Sequence, residues 1–126
     1  MLDAIGDPGL PGLAEQQDLR SGQANGKQLL CRACANPVTT PAAAIDIAGA
    51  HQHRFSNPAG QAFTIGCFQH APGCRTEGEA WRQYSWFSGH TWRVVICGRC
   101  AGHLGWRFQA ETRFYGLILK KLRSAG

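Results

Sequence analysis

Six cysteines among 126 residues are the side chains of this sequence best placed to do chemistry, and four of them form two Cys-x-x-Cys pairs, Cys31-Arg32-Ala33-Cys34 and Cys97-Gly98-Arg99-Cys100. A turn of that length can present two thiolates to one ion, so the two pairs together supply a closed tetrahedral set. A closed set leaves no position for water or substrate, which makes the expected ion a structural Zn2+, one per chain, and not a Lewis acid. Two dithiol redox pairs or disulfides are the competing reading, and paired knuckles in a chain read as cytosolic favour zinc. His103, three residues beyond Cys100, is spaced to reach a metal, but four thiolates already suffice. With the whole alternating body between the knuckles, zinc would pin the first strand region to the last, and metal-binding free energy would be folding free energy.

The remaining cysteines read differently. Cys67 falls on the inward face of an alternating stretch and is expected to be a buried small hydrophobe, whereas Cys74 follows Pro72-Gly73 in a turn and is expected to be an exposed thiol. His51 and His53 alternate on one strand face, a spacing that suits metal ligands but reads more simply as a partly exposed strand. A second signal is aromatic: all four tryptophans and both tyrosines follow Gly60, concentrated in Tyr84-Ser85-Trp86-Phe87-Ser88-Gly89-His90-Thr91-Trp92 and Gly105-Trp106-Arg107-Phe108. Such a set is either core filling or an aromatic box at a surface.

Something must hold these groups in place. With 44% hydrophobic and 17% charged positions the chain has the composition of one soluble globular domain, with area for one real core. No run approaches the ~20 apolar residues of a membrane span, and the N-terminus shows neither a basic start nor an apolar stretch, so a cytoplasmic location and no membrane partner are expected. Residues 1–26 are rich in Gly and Pro and hold four acids against one arginine, a balance of −3; a flexible leader is expected there. The net +5 of the chain then leaves +8 on residues 27–126, a charge that invites anions, nucleic acid included. Gln61–Phe68 alternates, with Phe63, Ile65 and Cys67 on one face; Trp92, Val94 and Ile96 share a face, as do Trp106 and Phe108. Phe114–Leu122 is apolar enough for a strand or a short helix, and a closing strand is preferred. The fold class is all-β.

Ser85-Trp86-Phe87-x-Gly89-x-x-Trp92, then Cys97-x-x-Cys100-x-x-His103-Leu104-Gly105-Trp106-x-Phe108, then Phe114-Tyr115-Gly116-Leu117, preceded by Asn57-Pro58 and the first knuckle, resembles the CULT domain. That domain is the thalidomide-binding domain of cereblon and of small bacterial relatives. The resemblance runs from about Gln28 to Leu122. It implies a β-tent, two antiparallel sheets meeting at a steep angle and pinned by structural zinc. It implies a cage in which Trp86, Trp92 and Trp106 are walls and Phe108 the floor, open to cyclic imides such as glutarimide and to uracil or uridine. It also implies that backbone groups of Tyr84 and Trp86 hydrogen-bond the imide and that Asn57 lines the rim. Protein or peptide termini bearing a cyclised Asn or Gln are a further ligand class it suggests.

Tyr84 stands where cereblon has His, which removes an imidazole but spares backbone contacts, and Ser88 stands where cereblon has Pro, which is expected to loosen the loop carrying Trp86. No counterpart is expected of the region that docks a ubiquitin-ligase adaptor. An enzyme is not expected either: a zinc deaminase needs an H-x-E motif and an open metal position, and His51-Gln52-His53 lacks the Glu. Methionine sulfoxide reductases of tent architecture need a late catalytic Cys, and none follows Cys100. Single-stranded nucleic-acid binding on the basic, aromatic surface is the alternative to an imide pocket.

Overall fold

The alternation of apolar and polar residues resolves into nine strands and two short 3-10 turns, with no α-helix among the described residues. The computed structural model describes residues 27–125, so the expected leader, 1–26, lies outside the described residues. Strands β1 (Leu29–Cys31), β2 (Pro37–Thr39) and β9 (Leu122–Ser124) form a small antiparallel sheet in the order β2-β1-β9. Strands β3 (Gln52–Ser56), β4 (Ala62–Phe68), β5 (Cys74–Trp81), β6 (Thr91–Cys97), β7 (His103–Gln109) and β8 (Arg113–Ile118) form a large one in the order β3-β4-β8-β7-β6-β5, also antiparallel throughout.

Both faces of the large sheet are covered, and the pleat deals successive residues to two separate cores. Phe68, Val95 and Leu117 join Cys31, Val38 and Leu122 of the small sheet in one cluster. Ile65, Cys67, Phe108, Phe114 and Ile118 form the other, roofed by Phe87. Phe68, opposite in parity to Cys67, is therefore as buried as its neighbour. A bulge re-aims one residue of β7: Val95 pairs with Gly105 but Ile96 pairs with His103, so Leu104 is the unpaired extra residue and falls into the small-sheet core.

Two sequence expectations change here. The closing strand is two strands: β8 ends at Ile118, the 3-10 turn Leu119–Lys121 intervenes, and β9 crosses to the other sheet to pair with β1. Cys74 is not an exposed turn thiol but the first residue of β5, in register with Cys97 and packed against the small-sheet core. Burial pushes its thiol up to about 12. Cys67 is fully buried as expected, and burial raises it to about 11. Neither is a nucleophile near neutral pH.

Candidate functional site

The two knuckles have the same local construction. In the first, Ala35 N donates to Cys31 O at 2.8 Å and Cys31 N to Asn36 O at 2.8 Å; in the second, Ala101 N donates to Cys97 O at 3.0 Å and Cys97 N to Gly102 O at 2.8 Å. Each turn closes through a left-handed alanine, Ala35 at φ 65° and Ala101 at φ 64°. The turns face one another, with Cys31 Sγ 3.8 Å from Cys100 Sγ, Cys34 Sγ 3.6 Å from Cys97 Sγ, and all four ligand atoms within 4.8 Å. Zn–S bonds of about 2.3 Å place tetrahedral sulfurs about 3.8 Å apart, so the spacing fits one zinc ion.

The chain also prepares the sulfur charge. Arg99 N donates to Cys97 Sγ and Gly102 N to Cys100 Sγ, each at 3.4 Å, and Asn36 Nδ2 reaches Cys97 Sγ at 3.6 Å. Burial works to raise the Cys97 pKa, but the backbone N–H groups of Cys100 and Arg99 and the neighbouring Cys34 and Cys100 thiols outweigh it and hold it at about 6. The arginine inside each pair clasps the opposite side: Arg32 donates to Lys120 O and Leu122 O at 3.0 Å, and Arg99 to Cys34 O at 3.4 Å. What the metal joins is the β1–β2 hairpin and the β6–β7 turn, whereas the last strand is held to the first by ordinary sheet pairing. His103 takes no part: its Nε2 donates to Gly105 O at 3.0 Å and its ring lies edge-on to Trp106 at 4.8 Å.

The opposite face of the large sheet carries a cavity of about 290 Å³. Four elements line it: the β3–β4 turn (Asn57, Pro58), the β5–β6 connection (Tyr84, Trp86), β6 (Trp92, Val94) and β7 (Trp106, Phe108). Trp86 and Trp106 meet edge to face at 4.7 Å, and Trp86 is backed by Phe55 stacked at 5.0 Å. Phe63 and His103 brace Trp106 at 5.1 and 4.8 Å. Two indoles are fixed through their N–H groups, Trp86 to Ser56 O at 3.2 Å and Trp92 to Gln83 O at 2.7 Å. Phe108 is 1% exposed and lies against Phe87 at 4.8 Å and Phe114 at 5.3 Å, a floor with no freedom to sink.

No protein-family model matches the chain. Curated cereblon sequences are similar over a short stretch: those of Drosophila virilis and Drosophila mojavensis are 48% identical over 52 residues, and that of Drosophila melanogaster 36%. The match takes in 36% of this chain but spans only 8% of the first two relatives' own length and 9% of the third. Among solved structures, the Mis18 "Yippee-like" domain has a similar fold, with a TM-score of 0.54 at 16% identity, covering 79% of this chain and 95% of that one. The cereblon similarity, the shared fold and the four-cysteine cluster together support a cereblon-type CULT domain. Its fold is the all-β, zinc-pinned β-tent of two antiparallel sheets.

The structure brings Asn57, Tyr84, Trp86, Trp92, Trp106 and Phe108 around one cavity, and Cys31, Cys34, Cys97 and Cys100 around one point. Asn57 Oδ1 is engaged by Gln61 N at 2.9 Å, which ties the rim residue into the β3–β4 turn. Tyr84 is 72% exposed, adopts φ 62° and is one of the residues lining the cavity. The loop carrying Trp86 is fastened without a proline: Ser85 Oγ donates to Phe87 O at 3.0 Å, and His90 Nδ1 to Ser88 O at 2.9 Å. His51 and His53 are half-buried and staple the preceding loop, His51 Nδ1 donating to Ile45 O and His53 Nε2 to Ile47 O. Pro58 and Val94 also line the cavity and were not assigned to the cage from the sequence, although Val94 shares a strand face with Trp92.

Proposed function

We propose that this CULT domain is a non-enzymatic binding module whose tryptophan cage captures cyclic imides of the glutarimide and thalidomide type and uracil- or uridine-like rings. One observation carries the reading: a cavity sized for a single ring has three indole walls and two backbone groups at its mouth that lack partners. Among the described residues neither the Tyr84 carbonyl nor the Trp86 N–H makes a hydrogen bond. An apolar cavity of about 150 Å³ accepts a benzene ring, so 290 Å³ has room for one six-membered ring and the start of a substituent.

Glutarimide and uracil share an acceptor–donor–acceptor edge. The ring N–H can donate to Tyr84 O and a flanking ring carbonyl can accept from Trp86 N–H, while the indoles enclose the rest by dispersion and through their negative faces. Imides formed when a terminal Asn or Gln cyclises present the same edge, so damaged protein or peptide termini belong to the same ligand class. The metal supports the cage without entering it: four thiolates close the coordination sphere, and the two remaining cysteines are held protonated by burial. Cysteines used as thiolates are in keeping with a reducing, cytoplasmic setting.

The test is a titration of glutarimide, uridine and a short oligonucleotide followed by tryptophan fluorescence. Saturable responses to the first two, little changed by salt, are expected. Single-stranded nucleic-acid binding is the second reading; it draws on the exposed Trp81 and Tyr84 rings, 46% and 72% accessible, beside the mouth. It calls for a response to the oligonucleotide alone, weakening steeply with salt.

A further inference from the structure

The face of the large sheet turned away from the cage carries a second constellation. Trp92, Trp106 and Phe108 line the cavity, so by strand alternation Arg93 and Arg107 project from the other side. They are direct cross-strand partners, and the next partner of Arg107 along the row is Tyr115. The row toward the open end is Thr91, Gln109 and Arg113, again in register. No acid is paired within either row on β6, β7 and β8; Glu79 lies in the irregular stretch of β5 beside Arg93.

Like charges placed directly opposite on adjacent strands destabilise a sheet unless something neutralises them. Here both arginines are half-buried, and the Arg107 Nε is buried without a hydrogen-bond partner among the described residues. Arg93 spends its Nε on Gly78 O at 2.9 Å, at the irregular part of β5, which fixes the root of its guanidinium, and its terminal nitrogens have no hydrogen-bond partner among the described residues. A buried donor left unsatisfied is costly, and a guanidinium fork is matched best by a planar or tetrahedral oxyanion.

We propose that Arg93 and Arg107 form an oxyanion site on the face of the large sheet turned away from the cage, beyond the part covered by the small sheet, with phosphate as its ligand chemistry. The arginines clamp two oxygens from adjacent strands through their terminal nitrogens, and Arg113 adds charge from the next row. The site is independent of the cage, since the two sets of side chains leave the same strands in opposite directions.

The experiment follows the arginine Nε–H signals of the full chain by nuclear magnetic resonance while inorganic phosphate replaces chloride at constant ionic strength. A saturable shift of the Arg107 and Arg93 signals is expected, with phosphate affinity falling about tenfold in R107Q and in R93Q and unchanged in R54Q, which alters an exposed arginine of the distant edge strand β3. R107K keeps the charge but not the fork and is expected to weaken binding as R107Q does. A shift that chloride reproduces, that fails to saturate, or that survives at full affinity in R93Q would overturn the site. The wild-type Arg107 signal decides the matter directly should R107Q fail to fold.

Discussion

At the knuckles, four side chains that are paired neighbours in the sequence meet within 4.8 Å around one ion; at the cage, six residues arrive from four separate elements and are held by ring contacts and by single hydrogen bonds to other elements. The knuckle is a local device, complete in its own turn with its own hydrogen bonds, and only the meeting of the two turns needs the rest of the fold. The cage is a product of the whole sheet, since its floor and walls depend on β6 and β7 lying in register and on a loop pinned at both indoles. The lesson is a division of labour: damage at the knuckles should cost the fold, and damage at the cage should cost the ligand.

The largest effect is expected at the metal. Structural zinc contributes about 10–16 kcal/mol of apparent binding free energy, as much as the whole stability of a small domain, about 5–15 kcal/mol. Cys97→Ala or a strong chelator should therefore abolish the cooperative thermal transition seen by circular dichroism; a metal-free preparation that melts as before would break the comparison at its root. Next comes Trp92→Ala. A fully buried tryptophan would cost about 3–5 kcal/mol, but this ring is half-exposed, so stability should fall by less while ring binding disappears. Severe destabilisation with binding intact, measured by melting and titration of one sample, would make the cage mere packing.

Gly116→Ala sharpens the contrast from below the floor. A Cβ there would lie 2.8 Å from Ile65 Cδ1 and 2.9 Å from Phe108 Cε2, tight enough to lift the Phe108 ring. Overpacking of this kind costs about 1–3 kcal/mol, and the narrowed cavity should bind glutarimide about tenfold more weakly; denaturant melts and a titration read both terms. The smallest effect is at the knuckle alanines. A left-handed non-glycine residue pays about 1–2 kcal/mol, against about 0.4–1 kcal/mol of unfolded-chain entropy that glycine adds, so Ala35→Gly or Ala101→Gly should raise stability by a few tenths of a kcal/mol to about 1 kcal/mol. A drop in melting temperature would mean the turns are not what sets the knuckle geometry.

Legibility followed the same divide. The zinc ligands could be read from spacing because the knuckle is local, and the cage was read through family resemblance because Trp86 and Trp106 lie on different elements and no spacing rule joins them. Strand β5 was missed: Cys74–Trp81 is an edge strand, exposed along nearly its whole length, and its Arg-Thr-Glu-Gly-Glu run has no apolar alternation. The break between β8 and β9 was hidden for the opposite reason. Leu117 and Ile118 are buried on opposite faces, so the run reads as uniformly apolar and nothing in it marks the change of sheet. Cys74 misled because Pro72-Gly73 does make a turn, with Cys74 N donating to Ala71 O, but the strand begins at the cysteine itself. Leu104 leaves the face that strand parity with Trp106 would give it, through a bulge that only pairing with β6 creates.

The proposed chemistry of the cage turns on a single proton, the one a ring nitrogen would give to Tyr84 O. Methylating that nitrogen removes the donor and leaves a desolvated carbonyl unpaired, a loss of at least ~1–3 kcal/mol before any clash. The most direct measurement is a competition assay of glutarimide against N-methylglutarimide on the zinc-loaded chain. Binding at least tenfold weaker for the methylated ring is the result this account predicts; equal affinity for the two rings would contradict it.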